Sequence, residues 1–151
     1  MTLSAEFTAQ WEAASQGAIV FDVSNRSRMV MTGRDRHAFL HRFCTNEINA
    51  LPIGRGCEAF LLNVKGRILG HCFVSATDEM LAIDGSPGQC DALLSHLKKY
   101  LLLDDVQLSD SSQTSGQLLL TGPRALGVLG QLIPTEDALP DGSCRTATIV
   151  V

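Results

Sequence analysis

The sequence predicts an α+β fold, an antiparallel sheet or sheets with interspersed helices, and three observations predict it. Between positions 57 and 84, three strand-like runs are separated only by Lys65-Gly66 and Thr77-Asp78-Glu79. Such turns join antiparallel neighbours, because a parallel crossover needs a dozen residues or more. Helical spacing occurs in separate short blocks, most clearly Cys90, Leu93, Leu94, Leu97 and Leu101. Finally, 151 residues with 45% hydrophobic and 19% charged side chains is a globular composition able to bury a core without staples. One domain over residues 1–151 is the expectation.

Each element has its own signal. Phe7, Trp11 and Ala14 stand at i, i+4, i+7 between Ser4 and Ser15, an amphipathic helix that Gly17 ends. Ala18 to Val23 and Arg28 to Thr32 read as strands around an Asn25-Arg26-Ser27 turn, forming a pair that Gly33 closes. Asp35 is a plausible N-cap for a helix carrying Phe39, Leu40 and Phe43. The three-strand meander of Cys57–Val64, Arg67–Ser75 and Met80–Asp84 follows. Ser86-Pro87-Gly88-Gln89 has capping-box spacing with Pro at the first helical position, a feature worth about 1 kcal/mol. Val106 and Leu108 alternate as a short strand, Gln117 to Thr121 is another, and Gly122-Pro123 opens a helix through Leu132. Pro134 to Cys144 reads as a loop, and Ala147-Thr148-Ile149-Val150-Val151 as an apolar, β-branched edge in need of a partner.

Composition narrows the function classes. The formal net charge of −4 argues against non-specific nucleic-acid binding, which needs a basic surface. No apolar run approaches the ~18 residues of a membrane span. The first residues carry neither a basic nor an apolar signal region, so cytoplasmic residence with reduced thiols is expected. The five cysteines contain no C-x-x-C pair, which leaves zinc-ribbon and thioredoxin-type readings without support.

Few residues suggest chemistry by themselves. His37, His41 and Cys44 share one side of a helix, but the H-E-x-x-H glutamate is missing and nothing fixes a fourth ligand, so no metal is assigned. His71 lies on a strand with Arg67, Leu69 and Phe73 on its face; it is either a rim histidine or a ligand and proton-transfer group. Gly122-Pro123-Arg124-Ala125-Leu126-Gly127 lacks the lysine and hydroxyl of a phosphate loop and reads as a helix start.

Four stretches in register go further. Gly33 to Leu51 resembles a G-x-D-x-x-x-F-L-x-x-x-x-T-N-D-[IV]-x-x-L segment, and Leu61 to Leu69 resembles an L-L-N-x-x-G-[GR]-[IV]-[LIV] hairpin. Phe21-Asp22-Val23-Ser24 and Leu120-Thr121-Gly122-Pro123-Arg124-Ala125 resemble the F-D-V-S strand and the x-x-G-P-x-A helix start of the same superfamily. That superfamily comprises the glycine-cleavage T-protein (aminomethyltransferase) and its YgfZ-type relatives. Lys65-Gly66-Arg67 is more similar to the YgfZ branch.

The resemblance implies a tetrahydrofolate site in a cleft. For the T-protein branch it implies methylene transfer with ammonia release; for the YgfZ branch it implies a folate-dependent role in iron–sulfur enzyme maintenance. Three departures stand out. The family's acid after the hairpin is matched by Gly70 and His71. Asn25 and Arg26 stand at its His and Met, and Glu58 at its aromatic. The K-G-C-[YF]-x-G-Q-E signature belongs to a part of the family beyond position 151.

Asn63, Lys65, Gly66, Arg67 and His71 around the hairpin, with Asp84 on the neighbouring strand, are the candidate cofactor-binding residues. For Lys65 and Gly66 turn chemistry is an equal alternative, and for Asn63 the favoured one. The chain is thus expected to be the front part of a longer architecture. Its expected partner is a folate-type small molecule, and a protein partner or second copy through the C-terminal apolar segment is further expected. An active aminomethyltransferase and a non-catalytic interaction module are the alternatives.

Overall fold

The strongest alternating runs assemble into a five-stranded antiparallel sheet, and the first and last of the shorter runs pair separately as a two-stranded ribbon. The computed structural model describes residues 4–114 and 116–132. Its elements are α1 (Ala5–Gln16), β1 (Ile19–Asp22), β2 (Ser27–Thr32), α2 (Arg36–His41), β3 (Gly56–Leu62), β4 (Ile68–Ala76), β5 (Met80–Gly85), α3 (Cys90–Lys98), β6 (Gln107–Asp110), β7 (Leu118–Thr121) and α4 (Ala125–Leu132). They fall into two compact units, divided near positions 24/25 and 115/116. The mixed antiparallel architecture is the α+β class that the sequence predicts. The loop and apolar run expected over 134–151 lie outside the described residues.

The larger unit holds the sheet, in the order β3-β4-β5-β2-β6. Period-two alternation sends one set of side chains to a single core: Met29 and Met31 from β2, Ala59 and Leu61 from β3, Cys72 and Val74 from β4, Leu81 and Ile83 from β5. Phe39 and Leu40 of α2 and Cys90, Leu93, Leu94 and Leu97 of α3 cover that face. The helical spacing in the sequence is therefore the buried stripe of α3 from Cys90 to Leu97, with Leu101 falling beyond the helix and half-buried against the core.

Three local expectations are corrected here. β2 does not pair with β1; its partners are β5 and β6, and β1 pairs with β7. The turn signal at Asn25-Arg26 is real, but it separates two sheets and closes no hairpin. Asp35 does not cap α2 with its side chain; its Oδ2 accepts the Asp105 backbone N–H at 2.8 Å. Ser86 does not cap α3, which starts at Cys90 after Gly88 takes φ +75°. Instead the buried Ser27 of β2 offers Oγ to the backbone N–H groups of Gln89 (2.9 Å) and Cys90 (3.1 Å). The orphan donors of the helix are met by a strand 62 residues earlier in sequence.

The smaller unit holds α1, β1, β7 and α4. Ser4 caps α1, its Oγ accepting Phe7 N–H at 3.2 Å. Asp22 Oδ1 accepts Ser24 N–H at 2.9 Å, and Ser24 Oγ accepts Gln117 N–H at 2.9 Å, so Asp-Val-Ser ties the end of β1 to the start of β7. The Gly-Pro-Arg turn docks on the end of α1, with Arg124 N–H donating to the Gly17 carbonyl at 2.9 Å.

Candidate functional site

The hairpin that carries most candidate residues is built from backbone geometry first. Asn63 and Arg67 close a three-residue loop, Asn63 N–H donating to the Arg67 carbonyl and Gly66 N–H to the Asn63 carbonyl, both at 2.9 Å. Gly66 sits at φ +75°, the left-handed residue that completes a type I turn in such loops. Asn63 Oδ1 accepts the N–H groups of Lys65 (2.9 Å) and Arg67 (3.0 Å). The amide of Asn63 is thus occupied by the turn. Lys65 and Arg67 are exposed, and among the described residues their cationic heads have no partner.

The sheet's second face, opposite the core, receives the alternate side chains. Register places Glu58, Phe73, Asp84 and Arg28 in one row across β3, β4, β5 and β2. Phe60 and His71 form the next row towards the hairpin. The His71 ring lies 5.2 Å from that of Phe60, and its Nε2 is 4.0 Å from Glu58 Oε2. Asp84 is buried and held by Arg28 through a two-point pair of 2.6 and 3.1 Å. At 13% and 4% side-chain exposure this pair is largely desolvated, so both charges are committed to each other.

Of the six sequence candidates, His71 and Asp84 therefore share a face, while Asn63, Lys65, Gly66 and Arg67 form the turn at one end of it. Arg28 and Phe60 were missed. A cation inside the run Arg28-Met29-Val30-Met31 was the available signal, since a strand with one buried face turns its even positions elsewhere. Arg26, at the family's Met, donates from Nε to the Gly85 carbonyl at 3.4 Å.

The two residues at the family's acidic position face opposite ways. Gly70 lies on the core side, where an added Cβ would come within 2.8 Å of Gln89 Oε1 and 3.4 Å of Leu93. His71 is the one that opens on the second face.

The segment from Phe43 to Asn46 runs along the free edge of β3. Phe43 and Thr45 exchange backbone hydrogen bonds with Leu62 and Phe60, and Thr45 Oγ1 accepts Phe60 N–H at 3.0 Å. Asn46 Nδ2 donates to the Glu58 carbonyl at 2.9 Å. The Thr-Asn pair therefore protects a strand edge. His37 and His41 close on the backbone of one residue: His37 Nδ1 lies 2.9 Å from the Ile48 carbonyl, and His41 Nδ1 accepts Ile48 N–H at 3.3 Å. Among the described residues, no three His, Cys, Asp or Glu side chains are grouped to hold a metal ion.

Among the described residues, the Cys72 and Cys90 thiols are buried and Cys44 and Cys57 are half-buried. A hydrogen bond to Cys72, together with burial, pushes the Cys44 thiol up, and burial pushes Cys90 up to about 11. Cys44 and Cys90 are therefore poor nucleophiles, since the thiolate is the reactive form. No helix among the described residues is long and apolar enough to cross a membrane.

This architecture defines an α+β domain of the kind seen in aminomethyltransferases. The crystal structure of the glycine cleavage system aminomethyltransferase T from Bartonella henselae superposes with a TM-score of 0.73 at 23% identity, over 83% of this chain and 35% of that one. The heterotetrameric sarcosine oxidase from Corynebacterium sp. U-96 matches at a TM-score of 0.53 and 26% identity, over 87% of this chain and 66% of that one. The chain belongs to the GCVT N-terminal domain family, whose model matches residues 2–150. Among curated relatives, the aminomethyltransferase of Exiguobacterium sibiricum is 32% identical over 116 residues, 75% of this chain and 31% of the relative. A putative chloroplastic transferase of Arabidopsis thaliana is 27% identical over 124 residues, 80% of this chain and 28% of the relative. The chain spans about a third of the length of these relatives.

Proposed function

We propose that this chain is a folate-binding domain of YgfZ type. It holds a tetrahydrofolate-type ligand between the Asn63–Arg67 hairpin and the second face of the sheet. It serves one-carbon metabolism or iron–sulfur enzyme maintenance as an accessory factor and does not turn over substrate. Membership of the family supports the ligand class. The observation that carries the non-catalytic reading is the imidazole at position 71. Methylene transfer from an amine develops positive charge, which a fixed carboxylate stabilises and a neutral or protonated imidazole does not. Asp84 cannot substitute, because Arg28 already neutralises it. Lys65 and Arg67 supply unpaired cations at the hairpin for an anionic ligand tail.

Calorimetric titration with tetrahydrofolate tests the ligand. Saturable heat is expected for the chain, with weaker binding for Arg67→Ala. Absence of heat at millimolar ligand would remove the reading. An active aminomethyltransferase is the second reading, favoured by the name that the Exiguobacterium sibiricum relative carries. Ammonia release from an aminomethyl-lipoyl protein would establish it. No release by the chain, with release gained by His71→Asp, would assign the missing function to this one position.

A further inference from the structure

One ring on the second face of the sheet lies down. Side chains of a strand stand roughly perpendicular to the sheet. Phe73 leans across β3 instead: a Cβ built on Gly56, its diagonal neighbour, would fall 2.4 Å from the Phe73 Cζ and 2.5 Å from its Cε1. A residue without a side chain is what leaves that space. The ring therefore rests over the Gly56 backbone, half-buried, and turns one π-face away from the sheet. Register sets Glu58 directly opposite Phe73.

The same face is polarised along its length. In the row of Glu58, Phe73, Asp84 and Arg28, the Asp84 carboxylate is held by Arg28 at 2.6 and 3.1 Å. Glu58 meets His71 Nε2 at 4.0 Å, beyond hydrogen-bond length, so its acceptor capacity is not committed to that ring. The cations Lys65 and Arg67 stand at the hairpin end, and Glu58 to Asn63 is about 17 Å of extended strand.

We propose that Phe73 and Glu58 hold the ring end of the ligand while Lys65 and Arg67 hold its carboxylate end, so that the ligand lies along β3; this rests on the folate-binding reading above. The leaning Phe73 ring stacks against the flat heterocycle. The Glu58 carboxylate accepts the N–H donors at the edge of that heterocycle, a charge-assisted pairing. Gly56 is the positioning residue, because it lets the Phe73 ring lie down. Phe73 and Glu58 then select a planar, N–H-bearing heterocycle joined to an anionic tail.

The test divides the ligand. Tetrahydropterin, the ring without the tail, and p-aminobenzoylglutamate, the tail without the ring, are titrated separately into the 151-residue chain by proton NMR, beside calorimetry with tetrahydrofolate. Tetrahydropterin protons should move upfield on binding, in the ring current of Phe73. Phe73→Leu should abolish that shift and weaken tetrahydropterin about tenfold. Glu58→Gln should weaken it by about the same factor. Gly56→Ala keeps the Phe73 ring in the chain but lifts it, and should lose the upfield shift as well; unchanged amide shifts in β5 check the fold of each variant. p-Aminobenzoylglutamate should ignore these changes and weaken with Arg67→Ala. The inference is overturned by tetrahydropterin binding that Phe73→Leu leaves unchanged, or by a tail fragment that depends on Phe73 in place of the ring fragment. Tetrahydrofolate binding insensitive to Phe73 and Glu58 would remove this inference alone, whereas absence of tetrahydrofolate binding would remove the folate reading with it.

Discussion

The two units of this chain use the same kinds of residue and reach opposite outcomes. The larger one closes: five strands alternate against two helices, and Phe39, Met29, Met31, Leu81 and Ile83 are fully buried. The smaller one has equally apolar elements, yet Trp11, Val20 and Leu118 face outward. A ribbon of two strands offers too few neighbours to enclose what its sequence would bury. Amphipathic patterning thus specifies a face to be covered; what covers it is a separate question.

Truncations should separate the units most widely. Phe39→Ala should cost about 3–5 kcal/mol in urea unfolding, because the cavity is walled by α2 and the sheet. Trp11→Ala should stay within about 0.5 kcal/mol in the isolated chain. Equal costs would break the contrast. Next, Asp84→Ala should cost about 3 kcal/mol by stranding the Arg28 guanidinium on the second face. The double variant Arg28→Met/Asp84→Leu should recover most of that loss; if it does not, the pair does more than neutralise itself.

A smaller effect concerns the helix cap. Ser27→Ala should lower stability by about 1–2 kcal/mol, whereas Ser86→Ala should change it by a few tenths. The reverse order would return the cap to the local sequence. The smallest effect is acid sensitivity. Arg34 holds the Asp105 carboxyl below its ordinary value, as do Ser112 for Asp110 and Ser24 for Asp22. A lowered folded value means stability that is fully present above the ordinary carboxyl range near pH 4 and is lost as the pH falls through the folded value. Urea midpoints should therefore fall modestly below about pH 4, and Asp110→Asn should flatten part of that slope in the larger unit only.

The motifs that point to the family are themselves instructive. Asp-Val-Ser ties two strands, Thr-Asn seals an edge, Asn-x-Lys-Gly makes a turn, and Gly-Pro-Arg docks a helix start. Each was legible as a short residue pattern, but only the Asn63 turn is local chemistry; Ser24 meets a partner 93 residues away and Asn46 one 12 residues away. The candidate position at the end of the hairpin was legible in sequence. Gly70 and His71 both fall at the family's acidic position, alternation in the sequence separates them and leaves His71 as the candidate, and the structure turns Gly70 into the core and His71 onto the second face. The Arg28–Asp84 pair joins strands 56 residues apart, so no spacing rule could announce it.

By itself the sequence determined the α+β class, the β3–β5 meander, the buried stripe of α3 and the family, because periodicity, turn residues and motifs act over a few neighbours. The tertiary structure decided that β1 and β2 belong to different sheets, that Ser27 caps α3, and that Arg28 neutralises Asp84. Those outcomes depend on which distant strand arrives alongside, where a one-residue change of register would exchange the two faces.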